Sequence, residues 1–345
     1  MSWWNDDDTD EPEFDESDVR VRPSRRGSRP RTKTRPKHED AVTGTVLAVD
    51  RGRYTVLLDE DGVNERDVTC SRASELRRQP IVNGDRVDVV GDLSGEPGTL
   101  ARIVRISDRS TLLRRSADDT DDVERIIVAN ADQMLIVVAA ADPEPRARLV
   151  DRYLVAAFDA GITPLLVVTK TDLADPHDFI SLFAELPLTV LTSRTDDMPL
   201  ERIRTLLVGH TTVFVGHSGV GKSTLVNALV PEARRSTGHV NEVTGRGRHT
   251  SSSAVSYRLR DDQGSGWIID TPGVRSFGLG HVDTDNILGA FPDLSQVADN
   301  CPRGCTHLPD APDCALNEAS LAGSLSASAA QRLESLQRLL TTFTG

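Results

Sequence analysis

The sequence predicts an α/β fold: a parallel sheet around a phosphate-binding loop, with a small β-barrel before it and a mostly helical segment after it. Three observations predict this. Gly216-His217-Ser218-Gly219-Val220-Gly221-Lys222-Ser223-Thr224 has the pattern G-x-x-x-x-G-K-S. Residues 111–281 alternate apolar runs with amphipathic helical stretches. Residues 41–110 hold short strands parted by glycine turns, and three of the four cysteines gather after residue 300.

The loop has the flanks that its pattern needs. Thr211–Val215 is β-branched and aromatic, as a buried strand should be, and Leu225, Val226 and Leu229 follow at helical spacing. Glycines let backbone N–H groups curl round an anion, and the helix N-terminus adds its positive dipole end. Lys222 can reach the β and γ phosphates, and the Ser223 hydroxyl can ligate Mg²⁺. The loop alone does not choose between ATP and GTP.

Composition narrows the class. The chain has 345 residues, a net charge of −13 and 38% hydrophobic residues, which excludes a generic nucleic-acid binder but allows several cores. The charge is segregated. Asp6–Asp18 holds nine acidic and no basic residues, and Arg20–Lys37 holds nine basic and no acidic ones. Residues 1–40 are therefore expected to be a disordered arm. Its basic half resembles an arginine-rich segment that orders on RNA; alternatively the two halves pair with each other. No run approaches the roughly 20 apolar residues of a membrane span, and the acidic start is unlike a secretory signal. A cytoplasmic chain with reduced thiols is expected.

The barrel is expected over residues 41–110, from strands at Val42–Val49, Arg53–Leu58, Val82–Val90 and Thr99–Ile106. An OB-type barrel suits this spacing and commonly binds single-stranded RNA. Tyr54 is its sole aromatic, so arginine–phosphate contacts should outweigh stacking. A barrel without a ligand is the other possibility. Cys70 stands alone as a small hydrophobe.

In the next part, Gln133–Ala140 and Pro164–Val168 read as buried parallel strands, with a helix between them at Arg146–Ala160. The second strand runs into Thr169-Lys170-Thr171-Asp172. This tetrapeptide resembles the guanine-reading N/T-K-x-D motif of GTPases. The chemistry suits guanine, because the Asp172 carboxylate can accept from both N1–H and the 2-amino group, whereas adenine offers neither. The Lys170 stem can cover the base. Thr169 carries a hydroxyl where the motif more often has an amide, which puts the N7 contact in doubt. Val190–Ser193 resembles the second guanine-side loop, with Ser193 in the serine place.

Gly245–Ser252 fits a switch loop with glycine hinges and hydroxyls for Mg²⁺, Thr250 being preferred among Thr250, Ser251 and Ser252. Trp267–Ile269 then leads into Asp270-Thr271-Pro272-Gly273, which resembles the D-x-P-G switch. There Asp270 would hold Mg²⁺ through water, and the Gly273 N–H would sense the γ-phosphate. Base motif, serine loop, P-loop, then two switches is a circular permutation of the usual GTPase order. The expected architecture is a circularly permuted P-loop GTPase domain (111–281), preceded by the OB-type barrel and followed by a zinc-binding helical domain (282–345).

That last domain rests on Cys301, Cys305, His307 and Cys314, three thiolates and one imidazole, the ligand set of a closed structural Zn²⁺ site. With little core of its own, the segment would draw stability from the metal. Ala329–Phe343 reads as an amphipathic helix with Leu333, Leu336 and Leu340 on one face and Glu334 paired to Arg338.

Barrel, permuted GTPase and Cys-Cys-His-Cys tail together resemble the ribosome small-subunit-dependent GTPase A family over residues 41–345. The family's zinc spacing usually has one more residue between the first two cysteines and one fewer before the last. The resemblance implies slow GTP hydrolysis stimulated by the small ribosomal subunit, rRNA binding, and release of late assembly factors, by a monomer cycling between GTP and GDP. The residue after Gly273 is Val274, which cannot orient water as the glutamine of Ras-type enzymes does. His249 is the candidate for that role, with rRNA ordering of the site as the alternative. Rival readings are an RNA-binding scaffold without turnover, a P-loop ATPase or kinase, and a permuted GTPase of the large subunit.

Overall fold

Five strands close the expected barrel: β1 (Val42–Asp50), β2 (Arg53–Leu58), β3 (Arg66–Arg72), β4 (Arg86–Val90) and β5 (Ala101–Ile106). Their order is β1-β2-β3-β5-β4, and β4 pairs back on β1. Only β3 and β5 run parallel. This computed structural model describes residues 38–76, 79–116, 124–233, 254–262, 264–271, 277, 279–280 and 282–344. The charged N-terminal arm, up to Lys37, lies outside them. Alternation sends Val46, Val56, Leu58, Val68, Cys70, Val87, Val89 and Ile103 inward, where all are fully buried. The sequence pattern did not single out β3. Its seven residues, RDVTCSR, carry just two apolar side chains, Val68 and Cys70, yet without it the barrel cannot close. Burial pushes the Cys70 thiol up to about 12, in keeping with an inert hydrophobe.

A hairpin of β6 (Leu112–Ser116) and β7 (Glu124–Ala129) links the barrel to the main sheet. That sheet orders β10 (Thr189–Thr192), β9 (Thr163–Thr169), β8 (Gln133–Ala139), β11 (Thr211–Gly216) and β13 (Gly264–Asp270), all parallel. Antiparallel β12 (Val255–Asp261) flanks β13 and touches β1 at Ala48↔Val255. β8 is buried along its whole length, which explains its unbroken apolar run: a central parallel strand is covered on both faces.

The helices of this part are α1 (Ala147–Asp159), α2 (His177–Ser181), α3 (Leu200–Leu207) and α4 (Lys222–Leu229). Ile203 and Leu207 of α3 pack with Leu225, Val226 and Leu229 of α4 in one core. On the other face, Val150, Tyr153, Leu154 and Ala157 of α1 share a core with Leu333, Leu336, Leu339 and Leu340 of the terminal helix Ala327–Thr344. Each such buried leucine contributes roughly 2 kcal/mol. Tyr153 meets Phe277 edge-on at 5.6 Å, and Phe158 meets Phe291 at 6.3 Å.

The C-terminal segment shares its core with α1. One expectation changes here. Arg338 does not turn to Glu334; it reaches 3.2 Å from the buried Asp151 of α1 and donates to the Leu182 carbonyl at 2.8 Å. A buried carboxylate needs a cation more than an exposed glutamate does.

Candidate nucleotide cleft and metal centre

Because β9, β10, β11 and β13 are parallel, their C-terminal ends lie along one edge of the sheet, where ligands bind in open α/β sheets. Thr169, Thr192, Gly216 and Asp270 are the last residues of these strands. The two loops expected to read guanine, the P-loop and the start of the expected second switch therefore leave from the same side.

The P-loop turns through Gly219 (φ +84) and Gly221 (φ +94) into α4. A side chain at either would be strained, which is why glycine occupies both turns. Val220 is buried and anchors the loop, while Ser218 and Gly219 are exposed. His217 is half-buried with Nδ1 3.1 Å from the Ser218 carbonyl. Ser223 and Thr224 present exposed hydroxyls on the first turn of the helix.

Lys222 pairs with Asp270, the two side chains being 11% and 18% exposed. The residue expected on phosphate and the residue expected on the metal thus neutralise each other across the cleft. A Mg²⁺–triphosphate can replace both partners at once, since it offers anionic oxygens to the ammonium and a cation to the carboxylate. Thr271 donates to the Phe214 carbonyl at 2.8 Å and holds the end of β13 against β11.

On the base side, the Thr171 N–H meets the Ser193 carbonyl at 3.3 Å, and the Ser193 N–H meets the Val168 carbonyl at 2.9 Å. Asp172 is exposed, and its Oδ1 accepts from the Thr195 N–H at 3.1 Å. Lys170 sits in the left-handed region (φ +55), and its Nζ donates to the Asp142 carbonyl. Thr169 is 8% exposed, and its hydroxyl donates to the Val220 carbonyl of the P-loop at 2.6 Å. Sequence reasoning missed Thr195, Asp142 and the Val220 carbonyl. All three act through backbone atoms, which leave no residue-type signal. Gly245–Ser252, with His249 and Thr250, and Pro272–Gly273 lie outside the described residues.

The metal set converges. The ligand atoms of Cys301, Cys305, His307 and Cys314 all lie within 4.8 Å of one another. Cys301 Sγ is 3.6 Å from His307 Nδ1 and 4.0 Å from Cys314 Sγ; Cys314 Sγ is 3.8 Å from His307 Nδ1. Bond lengths of about 2.3 Å to sulfur and 2.0–2.1 Å to nitrogen give tetrahedral edges of about 3.8 and 3.6 Å, close to the separations among Cys301, His307 and Cys314, so the group could hold a metal ion. Burial lowers the His307 pKa, with Asp285 opposing, which favours the neutral imidazole that binds metal. Gln337 of the terminal helix donates to the His307 carbonyl at 3.2 Å and steadies the loop.

On the barrel, Tyr54 is buried and offers no stacking platform. Arg53, Ser71 and Arg102 are direct cross-strand neighbours on the outer face, with exposed Arg51 and Arg72 nearby in the chain. Among the described residues no helix is long and apolar enough to cross a membrane.

Residues 106–280 match the RsgA GTPase family. The chain is 37% identical over 308 residues to the small ribosomal subunit biogenesis GTPase RsgA of Pseudomonas aeruginosa, covering 87% of this chain and 85% of that one. With the protein of the same name from Ectopseudomonas mendocina it is 42% identical over 225 residues, 63% of each. Among solved structures it is similar to YjeQ from Thermotoga maritima (TM-score 0.62, 25% identity, 88% of this chain and 99% of that one). It is similar also to YloQ, described as a circularly permuted GTPase (TM-score 0.60, 26% identity, 89% and 96%). The match over half of the chain, and the relative at 37% identity over most of its length, show that the chain belongs to the RsgA GTPase family.

Proposed function

We propose that this GTPase binds the small ribosomal subunit through its rRNA, hydrolyses GTP slowly until the subunit stimulates it, and assists late maturation, including release of assembly factors. The convergence of the base loops and the P-loop on one sheet edge, beside a barrel with Arg53 and Arg102 exposed on either side of Ser71, supports this reading. The names of its relatives point the same way. It would act in the cytoplasm as a monomer.

In this reading Gly216–Thr224 grips the phosphates, and Thr169–Asp172 with Ser193 encloses the base. Ser223, Thr250 and Asp270 hold Mg²⁺, which neutralises phosphate charge when bound. Gly273 senses the γ-phosphate, and His249 orients the attacking water. Cys301, Cys305, His307 and Cys314 hold a structural Zn²⁺. The second switch leads directly to Phe277, packed on Tyr153 of α1, so ordering by γ-phosphate would pull on the core shared with the zinc segment.

Co-sedimentation with separated ribosomal subunits tests the proposal. A GTP analogue should carry the protein into the small-subunit peak, with weaker association in GDP. Equal binding in both states would remove the nucleotide gate, and association with the large subunit alone would overturn the assignment.

A further inference from the structure

We infer that this chain recognises guanine without reading its N7, because Thr169 has no proton to give. This rests on the reading that the cleft takes a guanine nucleotide. N7 of a purine only accepts hydrogen bonds, so a side chain that reads it must donate. A threonine hydroxyl has a single proton. In this structure that hydroxyl has two protein neighbours, the Val220 carbonyl at 2.6 Å and the Val138 carbonyl at 3.2 Å. Both are backbone oxygens that only accept, so the proton must go to one of them, and Val220 is nearer. The residue is 8% exposed. Turning the proton toward N7 would leave two carbonyls facing the hydroxyl's lone pairs, a loss without solvent to offset it.

An asparagine amide has two protons and could serve the Val220 carbonyl and N7 together. Threonine keeps the tie between the base loop and the P-loop and gives up the donor to the base. Discrimination then falls to Asp172 and its two contacts on the N1–H and 2-amino edge. Thr169 is thus a specificity-determining residue: it decides which edge of the purine goes unread.

The test is calorimetric titration with GDP, 7-deaza-GDP, IDP and ADP. 7-Deaza-GDP has C–H in place of N7; IDP lacks the 2-amino group. The wild type should bind 7-deaza-GDP within about twofold of GDP, while IDP should bind about tenfold or more weakly, the scale of one hydrogen bond to a charged group. Thr169→Asn should introduce a loss of about threefold to tenfold for 7-deaza-GDP, the scale of one neutral hydrogen bond. Thr169→Ser keeps one proton and one pair of carbonyls, and should behave as wild type. A wild-type loss of about fivefold or more with 7-deaza-GDP, at intact preference for GDP over ADP, overturns this inference alone. An unchanged ratio in Thr169→Asn removes position 169 as the determinant. Equal affinity for GDP and ADP overturns the guanine reading, and this inference with it.

Discussion

Asp172→Asn should convert a guanine site into a xanthine site, and the structure sets the sign. The Thr195 N–H is 3.1 Å from Asp172 Oδ1, and a backbone donor cannot be rotated away. An asparagine at 172 must therefore keep its oxygen toward Thr195 and point its NH₂ group at the far side of the base edge. Guanine presents a 2-amino donor there, so two donors would face each other. Xanthine presents a carbonyl, which the amide can satisfy, while its N1–H still finds Oδ1. One hydrogen bond to an ionised group, about 1.5–3 kcal/mol, is lost outright, and the other weakens to neutral strength. Together this is roughly 3–4 kcal/mol, or about 10²–10³-fold in affinity for GDP. Calorimetry with GDP, XDP and ADP on wild type and variant reads it directly. GDP binding to the variant within about threefold of wild type, or no gain for XDP, would refute the assignment of Asp172 to the base edge.

Chelation, or Cys314→Ser, should release bound zinc and expose residues 301–314 to protease. The packing of Leu333, Leu336 and Leu340 on α1 should persist, so helical circular dichroism and GDP affinity should change little; global unfolding would show that the metal carries the whole segment. Arg338→Met leaves the Asp151 carboxylate buried without its cation and should cost about 3 kcal/mol at neutral pH by denaturant titration. Burial already raises the Asp151 pKa despite Arg338. The folded state therefore holds its proton more tightly than the unfolded chain. The variant's deficit should shrink as pH falls toward the ordinary carboxylate range and grow as pH rises; a pH-independent deficit would exclude Asp151 as its source. Gly84 has φ +84, and a Cβ there would stand 2.0 Å from the Ala129 carbonyl oxygen, where barrel meets β7. Gly84→Ala should cost about 2–4 kcal/mol, seen as a fall in Tm, and an unchanged Tm would refute a close approach of the two segments at this junction.

Contiguous chemistry was legible before any fold was known. Gly216–Thr224 is expected to act through backbone turns and one lysine, so nine consecutive residues are enough to suggest it. Cys301, Cys305, His307 and Cys314 are close enough in the chain that ligand type and spacing announce a cage. The parallel strands β8 and β9 were legible because burial on both faces leaves unbroken apolar runs. β3 was not, because two inward residues among seven resemble a polar loop.

The sequence by itself determined the permuted order of loops, the P-loop and the cysteine–histidine set, since each is written in neighbouring residues whose chemistry is local. Tertiary structure alone decided the partners separated in the chain: Thr169 on the Val220 carbonyl, Asp172 on the Thr195 N–H, Lys222 on Asp270, Arg338 on Asp151. The physical reason is that a hydrogen-bond donor or a buried charge must be satisfied by whatever the fold brings within about 3 Å, and composition does not say what that will be.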